Sequence, residues 1–384
     1  MYGVEGYSLR RLVRRLCLAE LKGFDIPSDI WLCLHCARCR EGCTGGLDLP
    51  ELIIELRSLA VKRGAYPAPV GYVKESVVKV GNPLGLAVKP SKWAEGLGLP
   101  RRGSRLFFAG FYAIADYAEY MVRSMLKVGV GRSISLKRLA DKVGAFKVAG
   151  PLISRAAPTV ARRALRSTAQ ALMKLGEPLP YLGDEEPWPG LELYTYGFLE
   201  EFGAHAKRVY AKLKELGVEE IVTPDPLTAV AFRQLYPKFV DGFSLEVRDC
   251  SEFLAELLDK RPVELKLEGV VATYHDPCML ARYLKVIDQP RQVLSSIKGL
   301  RLEEPLNRGV KTICCGAGGL EAIRPDLSVT VASKSVKNLL TASPSLIVSN
   351  CPACDFMLRM GVEEARVKVE VAYVGEVVWR ALAS

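Results

Sequence analysis

The sequence predicts an α+β multidomain protein in which an all-α N-terminal domain precedes two α/β modules related by an internal repeat. Three observations predict this class. Four closely spaced cysteines lie between two helical patterns near the start of the chain, and three apolar runs in the last third each end in cysteine. The middle of the chain carries a copy of these runs without the cysteines. Helical patterns separate the runs, which predicts parallel strands joined by helices.

The composition is that of an ordinary globular protein with room for two or three domains. Of 384 residues, 49% are hydrophobic and 25% are charged. Asp116 and Glu119 interrupt the most apolar stretch, so no membrane-spanning helix is predicted, and no signal-peptide pattern is present. Nine of the 11 cysteines fall into two groups. This grouping indicates metal binding in a reducing, cytoplasmic compartment rather than a disulfide framework.

The excess positive charge is concentrated in one segment. Between Gly131 and Gly176 ten lysines and arginines accompany a single acid, Asp141, in a chain of net charge +10. The segment lacks the interleaved aromatic residues of a base-stacking surface, so nucleic acid is not a predicted partner. Two interpretations stay open: a docking surface for acidic partner proteins or for a membrane, and a solvated helical insert.

The first cysteine group lies in the stretch WLCLHCARCREGC, with the spacing C-x2-C-x2-C-x3-C. This spacing is typical of a [4Fe-4S] cluster, whereas zinc sites normally use two separated pairs. The fourth ligand stays open between Cys43, which we favour, and Cys17, which otherwise packs in the core from the apolar face of a helix. His35 within the run is expected to be exposed. The predicted ligands are Cys33, Cys36, Cys39 and Cys43.

A helix is predicted after this run, with Asp48 as its N-cap and Gly64 at its C-terminal end. The stretches SDIWLCLHCARCREGC and ELRSLAVKRG resemble the second cluster-binding half of the small ferredoxin-like C protein of heterodisulfide reductases, over roughly residues 8 to 65. The resemblance implies an α-helical ferredoxin-like [4Fe-4S] domain over residues 1–100. This chain has one cysteine run where the family has two, and threonine follows Cys43 where proline is usual.

The second cysteine group has the spacing C-x35-CC-x35-C-x2-C and ends the runs VVATYHDPC, VKTICC and LIVSNCPAC. Each run is predicted to be a parallel strand, so the thiols should meet at the carboxyl edge of one sheet. An isolated CC pair could be a vicinal disulfide or two buried thiols. Here the glycines that follow would turn the backbone so that both thiols reach one ligand. The five thiols belong to Cys278, Cys314, Cys315, Cys351 and Cys354.

The motifs HDPC, CCGAGG and CPAC resemble the CCG cysteine-rich domain over residues 266–384. That domain occurs in the B and D proteins of heterodisulfide reductases and in iron-sulfur subunits of enzymes that oxidise glycolate, lactate or glycerol-3-phosphate. The resemblance implies that the five cysteines bind a second [4Fe-4S] cluster, cubane or non-cubane. His275 and Asp276 are expected to stabilise the loop by hydrogen bonding. The alternative from another class is structural zinc on four of these cysteines, in a scaffold protein.

An internal repeat is visible when three segments are aligned. IVTPDPLTAVAFRQLYP matches IVSNCPACDFMLRM, EEPWPG matches TICCG, and SRLFFAGF matches VATYHDPC. In the first copy 35 residues separate the pair position from the next ligand position, as they do between Cys315 and Cys351. The first copy is therefore predicted to be a module without cysteine ligands. The residues at the ligand positions are Phe111, Trp188, Pro189, Asp225 and Thr228.

The predicted domains are 1–100, a degenerate CCG module at 101–265 with the basic insert at about 131–175, and the intact CCG domain at 266–384. The resemblance implies an oxidoreductase subunit of a heterodisulfide reductase-like complex, which relays electrons between a partner flavoprotein and a disulfide or other acceptor. No nucleotide-binding glycine motif is present, so a flavin is expected on a partner. The alternative is the iron-sulfur subunit of an FAD-linked glycolate, lactate or glycerol-3-phosphate dehydrogenase. Cys250, outside both groups, is expected to be structural.

Overall fold

The computed structural model describes residues 7–18, 26–86, 89–142, 156–261 and 263–383. Within these residues the chain forms helices around two small parallel sheets, which confirms the predicted α+β class. The sheets follow one another along the chain, and buried side chains of both sheets and of the N-terminal helices join in one hydrophobic core.

The N-terminal part is helical, as predicted. The Asp48 carboxylate accepts a hydrogen bond from the Glu51 amide at 3.2 Å, and Gly64, with φ of 68°, follows the last turn of the same helix. Cys17 lies on the first helix but is exposed, so the interpretation that it packs in the core is wrong. Leu12 provides the buried contact of that helix instead. The helices are α1 (Leu9–Leu18), α2 (Arg38–Glu41), α3 (Leu49–Lys62) and α4 (Ala68–Val80).

The first sheet has three parallel strands in the order β1-β2-β3. The central strand is buried at every position, as expected for a parallel strand covered on both faces. The strands are β1 (Arg105–Phe107), β2 (Glu220–Thr223) and β3 (Glu246–Asp249). The helices of this part are α5 (Ala115–Val128), α6 (Val130–Lys142), α7 (Val160–Lys174), α8 (Leu191–Thr195), α9 (Leu199–Glu215), α10 (Pro226–Val230), α11 (Tyr236–Phe239) and α12 (Cys250–Lys260).

The second sheet has four parallel strands in the order β5-β4-β6-β7. The predicted strands VVATYH and LIVS are confirmed, and they lie side by side in this sheet. The strands are β4 (Leu265–His275), β5 (Ile297–Leu302), β6 (Leu346–Ser349) and β7 (Glu370–Tyr373). The helices are α13 (Asp288–Ser295), α14 (Leu320–Ile323), α15 (Pro325–Leu339), α16 (Pro352–Ala365) and α17 (Val374–Ala383).

The prediction that VKTICC forms a third strand is wrong. A short 3-10 turn, Gly309–Lys311, leads into a segment without regular structure that contains both cysteines. The reason lies in the backbone carbonyls, which accept hydrogen bonds from arginine side chains rather than from a neighbouring strand. Arg38 donates to the oxygens of Lys311 and Thr312 at 2.7 and 2.9 Å, and Arg282 donates to Val310 at 2.8 Å. Guanidinium groups thus satisfy a backbone that a strand would otherwise pair.

The two acids that interrupt the most apolar stretch are buried on α5. Asp116 accepts hydrogen bonds from the backbone of α7 and from the side chain of Arg162 at 3.1 Å. Glu119 accepts from Arg123 and Arg359. Both acids therefore fix α5 to neighbouring helices. Among the described residues, no helix has both the length and the apolar character that crossing a membrane requires.

The second half of the basic segment forms α7, whose cations bind within the chain. Arg163 pairs with Glu376 at 3.1 Å, and Arg166 donates to the backbone oxygen of Glu95 at 2.7 Å. Lys174 donates to a backbone oxygen of α17. The cations of α7 thus have partners within the chain, although the Arg163 side chain stays 59% exposed, so the two interpretations of the basic segment stay open. Residues 143–155 of the segment lie outside the described residues.

Candidate metal centre at the edge of the second sheet

The carboxyl edge of the second sheet collects the cysteines of the C-terminal group. The strands β4 and β6 end at His275 and Ser349, which are partners in the parallel register. Cys278 follows the first strand closely, and Cys351 follows the second. Cys354 lies in the first turn of α16. Parallel strands end at one edge of a sheet, so these three thiols come together there.

The loop CCGAGG supplies the remaining two thiols, and its glycines turn the backbone as predicted. Gly316, Gly318 and Gly319 have φ of 98°, 101° and 93°, a region that favours glycine. A Cβ on Gly316 would overlap the backbone of α15, and one on Gly318 would overlap the carbonyl oxygen of Leu34. The glycines thus allow both the turn and a close approach to two other segments.

The five thiols form one connected set, and all are free cysteines. The ring of His275 lies with two of them, the ligand atoms of Cys315, Cys354 and this histidine being within 4.8 Å of one another. We did not predict the histidine as a ligand, although its place at the end of a strand, three residues before a cysteine, was a usable signal. Neighbouring thiols interact pairwise through the set: Cys314 with Cys278 and Cys315, Cys315 with Cys354, and Cys354 with Cys351.

Within this set the charge is favoured on one sulfur. Hydrogen bonds with Cys314 and Cys354 hold the pKa of Cys315 well below its ordinary value. Burial raises the pKa of Cys351 to about 11. Thiolates are the form in which cysteine binds metal, so the lowered pKa of Cys315 favours its ligand form.

Asp276, next to the histidine, holds the loop together as expected. Its carboxylate pairs with Arg291 at 2.8 Å and accepts a hydrogen bond from the Gly309 amide at 2.7 Å. Arg291 also pairs with Glu304 at 2.6 Å. The aspartate is buried and its oxygens are occupied, so it fixes the segment that leads to the paired cysteines.

The N-terminal cysteine loop lies directly against this centre. The thiol of Cys36 interacts with that of Cys314, so the two cysteine groups meet here. Cys33 is buried, while Cys39 and Cys43 are half-buried. We expected the two groups to occupy separate domains, and no sequence pattern indicates that they touch.

Three contacts hold the loops together. The Arg282 guanidinium donates to the backbone oxygen of Cys36 at 2.7 Å, and the Tyr283 hydroxyl donates to that of His35 at 2.9 Å. Gly318 packs against the carbonyl of Leu34. All three join a segment of the second sheet's domain to residues 34–36, so the N-terminal loop has a fixed position beside the candidate centre.

The expectation that His35 is exposed is wrong. Its side chain is buried, and its Nδ1 lies 3.2 Å from the Tyr283 hydroxyl. Burial lowers the pKa of this histidine to about 3, with a smaller contribution from the charge of Arg57. The ring is therefore neutral at physiological pH and contributes packing to the contact between the loops.

Two buried arginines lie beside the cysteine loops without a carboxylate partner among the described residues. Arg57 donates to the backbone oxygens of Ile30, Cys33 and Thr195, and Arg282 donates to those of Val310, Cys36 and Thr312. A buried cation is costly unless an anion compensates it. Thiolate sulfurs, whether free or bound to a metal cluster of net negative charge, are the available anions. The donor set and its surroundings therefore fit an anionic metal-thiolate centre.

The corresponding positions of the first sheet also meet, but without thiols. The rings of Phe111 and Trp188 lie 6.0 Å apart, and the carboxylate of Asp225 accepts hydrogen bonds from the Phe111 amide at 3.0 Å and the Thr228 hydroxyl at 2.7 Å. This cluster is buried and internally hydrogen-bonded. It offers one carboxylate, whose two oxygens are already used, so we assign it a packing role.

Comparison with known protein families identifies the class of domain that holds the candidate centre. Residues 272–359 match the family model described as CCG, cysteine-rich domain. The chain thus carries a CCG cysteine-rich domain, as the motifs predicted. The match includes all five thiols of the candidate centre.

The particular relatives are oxidoreductases or their subunits. The chain is 27% identical over 359 residues to the probable iron-sulfur-binding oxidoreductase FadF of Bacillus subtilis, covering 89% of this chain and 45% of that protein. It is 27% identical to EtfAB:quinone oxidoreductase of Syntrophomonas wolfei, covering 92% and 46%. It is 35% identical to the D protein of the dihydromethanophenazine:CoB–CoM heterodisulfide reductase of Methanosarcina mazei, covering 44% and 42%. The chain thus spans about half the length of these relatives or less.

Replacing Gly318 by alanine should separate the loops. The positive φ alone costs about 1–2 kcal/mol, and the overlap with Leu34 adds a similar amount, so we expect a loss of about 3 kcal/mol in the free energy of unfolding. Gly217→Ala is the matched control, because Gly217 has φ of 70° and open space around its Cβ position. Denaturant unfolding measures both. Equal losses in the two variants would contradict the close contact at Gly318.

Proposed function

We propose that this chain is an iron-sulfur electron-transfer subunit of a heterodisulfide reductase-like complex. The observation that carries the proposal is the contact between the two cysteine groups, in which Arg282 and Tyr283 donate to the backbone oxygens of Cys36 and His35 and the thiols of Cys36 and Cys314 interact. Two redox centres held by these groups would be adjacent. The relatives named above as iron-sulfur-binding, quinone-linked and heterodisulfide-linked oxidoreductases support the same class.

The residues present fit two clusters. When bound, each cluster would accept and release one electron at a time, and its potential would be set by its surroundings. The protein contributes ligands, a buried site, and the cations Arg57 and Arg282 beside it. The N-terminal cluster would be held by Cys33, Cys36, Cys39 and Cys43, and the C-terminal one, of cubane or non-cubane type, by Cys278, Cys314, Cys315, Cys351 and Cys354.

The domain organisation remains part of the proposal: a ferredoxin-like domain at 1–100, a degenerate CCG module at 101–265 and an intact one at 266–384. The internal repeat is supported by topology. The strands β1-β2-β3 and β4-β6-β7 have the same chain order, the same spatial order and the same parallel direction. Gly190 and Gly316, which the alignment equates, both have positive φ, 79° and 98°.

Other proteins of the complex would supply the electron donor and the electron acceptor. A flavoprotein partner would donate or accept electrons, and a disulfide or another acceptor would complete the transfer. The alternative is the iron-sulfur subunit of an FAD-linked glycolate, lactate or glycerol-3-phosphate dehydrogenase, in which the partner's substrate differs but the role of this chain does not. A cytoplasmic location, with membrane association through partners, is part of the proposal.

Metal analysis tests the proposal. Anaerobically purified protein should contain about eight irons and as much acid-labile sulfide per chain, with two distinct EPR signals on reduction. About four irons with one zinc would leave only the N-terminal relay and would make the C-terminal group a scaffold. A colourless protein with zinc alone would refute electron transfer. If two clusters are present, co-purification of a flavoprotein would identify the partner that exchanges electrons with this chain.

Replacing Cys43 should remove the N-terminal cluster, whereas replacing Cys17 should not. Cys43 is half-buried on the loop that carries the other three cysteines, while Cys17 is exposed on α1. We therefore expect about half of the iron to be lost in Cys43→Ser and none in Cys17→Ser, by iron and sulfide analysis. The reverse result would assign the fourth ligand to α1.

A further inference from the structure

The C-terminal cysteine set lines a cavity of about 460 Å³, a volume that includes the space which a cluster on these thiols would occupy. Its floor includes all five thiols of that set. Its walls come from α4, α5, α6 and the loop after Cys315. Cavities of this size hold compact small molecules, and a molecule here would reach the metal centre of the proposed function, on which this inference rests.

The lining of the cavity is apolar. The side of α5 contributes Ala118, Met121, Val122 and Met125, and no lysine, arginine or aspartate is found among the described residues that line it. The described walls offer no countercharge to carboxylate, phosphate or sulfonate groups, so they favour an uncharged ligand.

Among the described residues, the carboxyl groups in this lining are those of Glu192 and Glu321. Glu192 accepts a hydrogen bond from the Trp188 indole, and Glu321 accepts one from the Gly319 amide, each at 2.9 Å and each through one oxygen. Burial raises the pKa of both acids to about 7. The charges of Cys315 and Glu192 also raise the pKa of Glu321, and the charge of Asp225 also raises the pKa of Glu192.

The mouth of the cavity is apolar as well. Val128 at the end of α5 and Leu136 on α6 line it and are 45% and 62% exposed. Large apolar side chains at an opening favour a ligand whose hydrocarbon part extends out of the protein. The cavity thus combines a redox-competent floor, apolar walls, an apolar exit and two carboxyl groups.

We propose that this cavity binds an uncharged, apolar quinone, with Glu192 and Glu321 directed to its carbonyl oxygens. A quinone is uncharged before and after reduction, carries a hydrocarbon chain, and needs two protons with its two electrons. The two carboxyl O–H groups give these protons to the two carbonyl oxygens, and the carboxylates recover protons from water. The two electrons would come from reduced iron-sulfur clusters held by the two cysteine groups and would be resupplied by the partner flavoprotein, and the product would be the hydroquinone.

Binding is tested on the iron-loaded chain by equilibrium dialysis with a decyl-substituted ubiquinone analogue. Its ring is fully substituted and therefore does not add to thiols. We expect saturable binding of one equivalent, weakened at least tenfold in Met121→Lys, because the substitution places a charge among apolar walls. Met173→Lys, on the partly exposed side of α7, is the matched control and should bind unchanged. Met125→Lys gives a second lining variant if the first does not fold.

The role of the carboxyl groups is tested separately. Glu321→Gln should bind the quinone within threefold of the wild type but reduce it about 100-fold more slowly, the effect typical of a lost proton donor. The exposed Glu364→Gln should change neither quantity. Unchanged reduction in Glu321→Gln would overturn the proton-donor role.

Two results would overturn the quinone site itself: equal binding in wild type and both lining variants, or tighter binding of dithiodipropionate, a dianionic disulfide. These results are distinct from failure of the proposed function, which would appear as a chain without iron. A chain that contains both clusters and exchanges electrons, but does not bind the quinone, would overturn this inference alone.

Discussion

Cys315→Ser is expected to lose the C-terminal cluster while it keeps the N-terminal one. Cys315 lies at the middle of the connected thiols, where it interacts with Cys314 and Cys354 and lies beside His275, so its removal divides the set. Iron and acid-labile sulfide should fall from about eight to about four per chain, with loss of one EPR signal and retention of the other. The loss equals that expected for Cys43→Ser, but the EPR signal that disappears should be the other one.

Two controls separate ligand loss from general damage. Cys250→Ser removes a buried thiol outside the motif, at the start of α12, and should leave the iron content unchanged. Thr228→Ala alters a ligand position of the degenerate module and should also leave it unchanged. Iron loss in the Thr228 variant would mean that the first module binds metal. Full iron content in Cys315→Ser would contradict the assignment of the C-terminal centre.

The sequence predicted the candidate site more accurately than the surrounding backbone. Strands β4 and β6 could be predicted because their apolar runs are short, buried and bounded by turn residues. The run VKTICC has the same composition but forms no strand. Its carbonyls are taken by Arg38 and Arg282, which lie 273 and 28 residues away from their acceptors Lys311 and Val310. The residues of the run itself carry no information about hydrogen-bond donors from other parts of the chain.

The contact between the cysteine groups could not be predicted for the same reason. Spacing specifies which thiols can share one cluster, but the position of one group relative to another depends on packing between distant segments. Here that packing rests on Arg282 and Tyr283, which occupy a π-helical turn, Met279–Leu284, directly after Cys278. His35 was misjudged because the hydroxyl that covers it belongs to the same turn.

Arg282→Met should uncouple the loops and shift the potential of the adjacent centre. The guanidinium is fully buried and donates to backbone oxygens on both sides of the contact, Cys36 on one and Val310 and Thr312 on the other. Methionine keeps much of the volume but leaves these acceptors without their donor, at a cost of about 1–3 kcal/mol for each buried group. Loss of a nearby positive charge also disfavours the reduced, more negative form, so the midpoint potential should fall.

The variant Arg282→Lys distinguishes the effect of the positive charge from a purely structural role of Arg282. Lysine retains the charge but cannot reach three separate carbonyls in the geometry of the guanidinium fork. The stability of this variant should therefore fall, while the midpoint potential of the adjacent centre stays near that of the wild type. Denaturant unfolding measures the first quantity and EPR-monitored redox titration the second. In iron-free protein the Met variant should cost less than in loaded protein, because the buried cation then has less negative charge to balance. An equal cost in both forms, together with equal potentials in the Lys and Met variants, would show that Arg282 serves packing only.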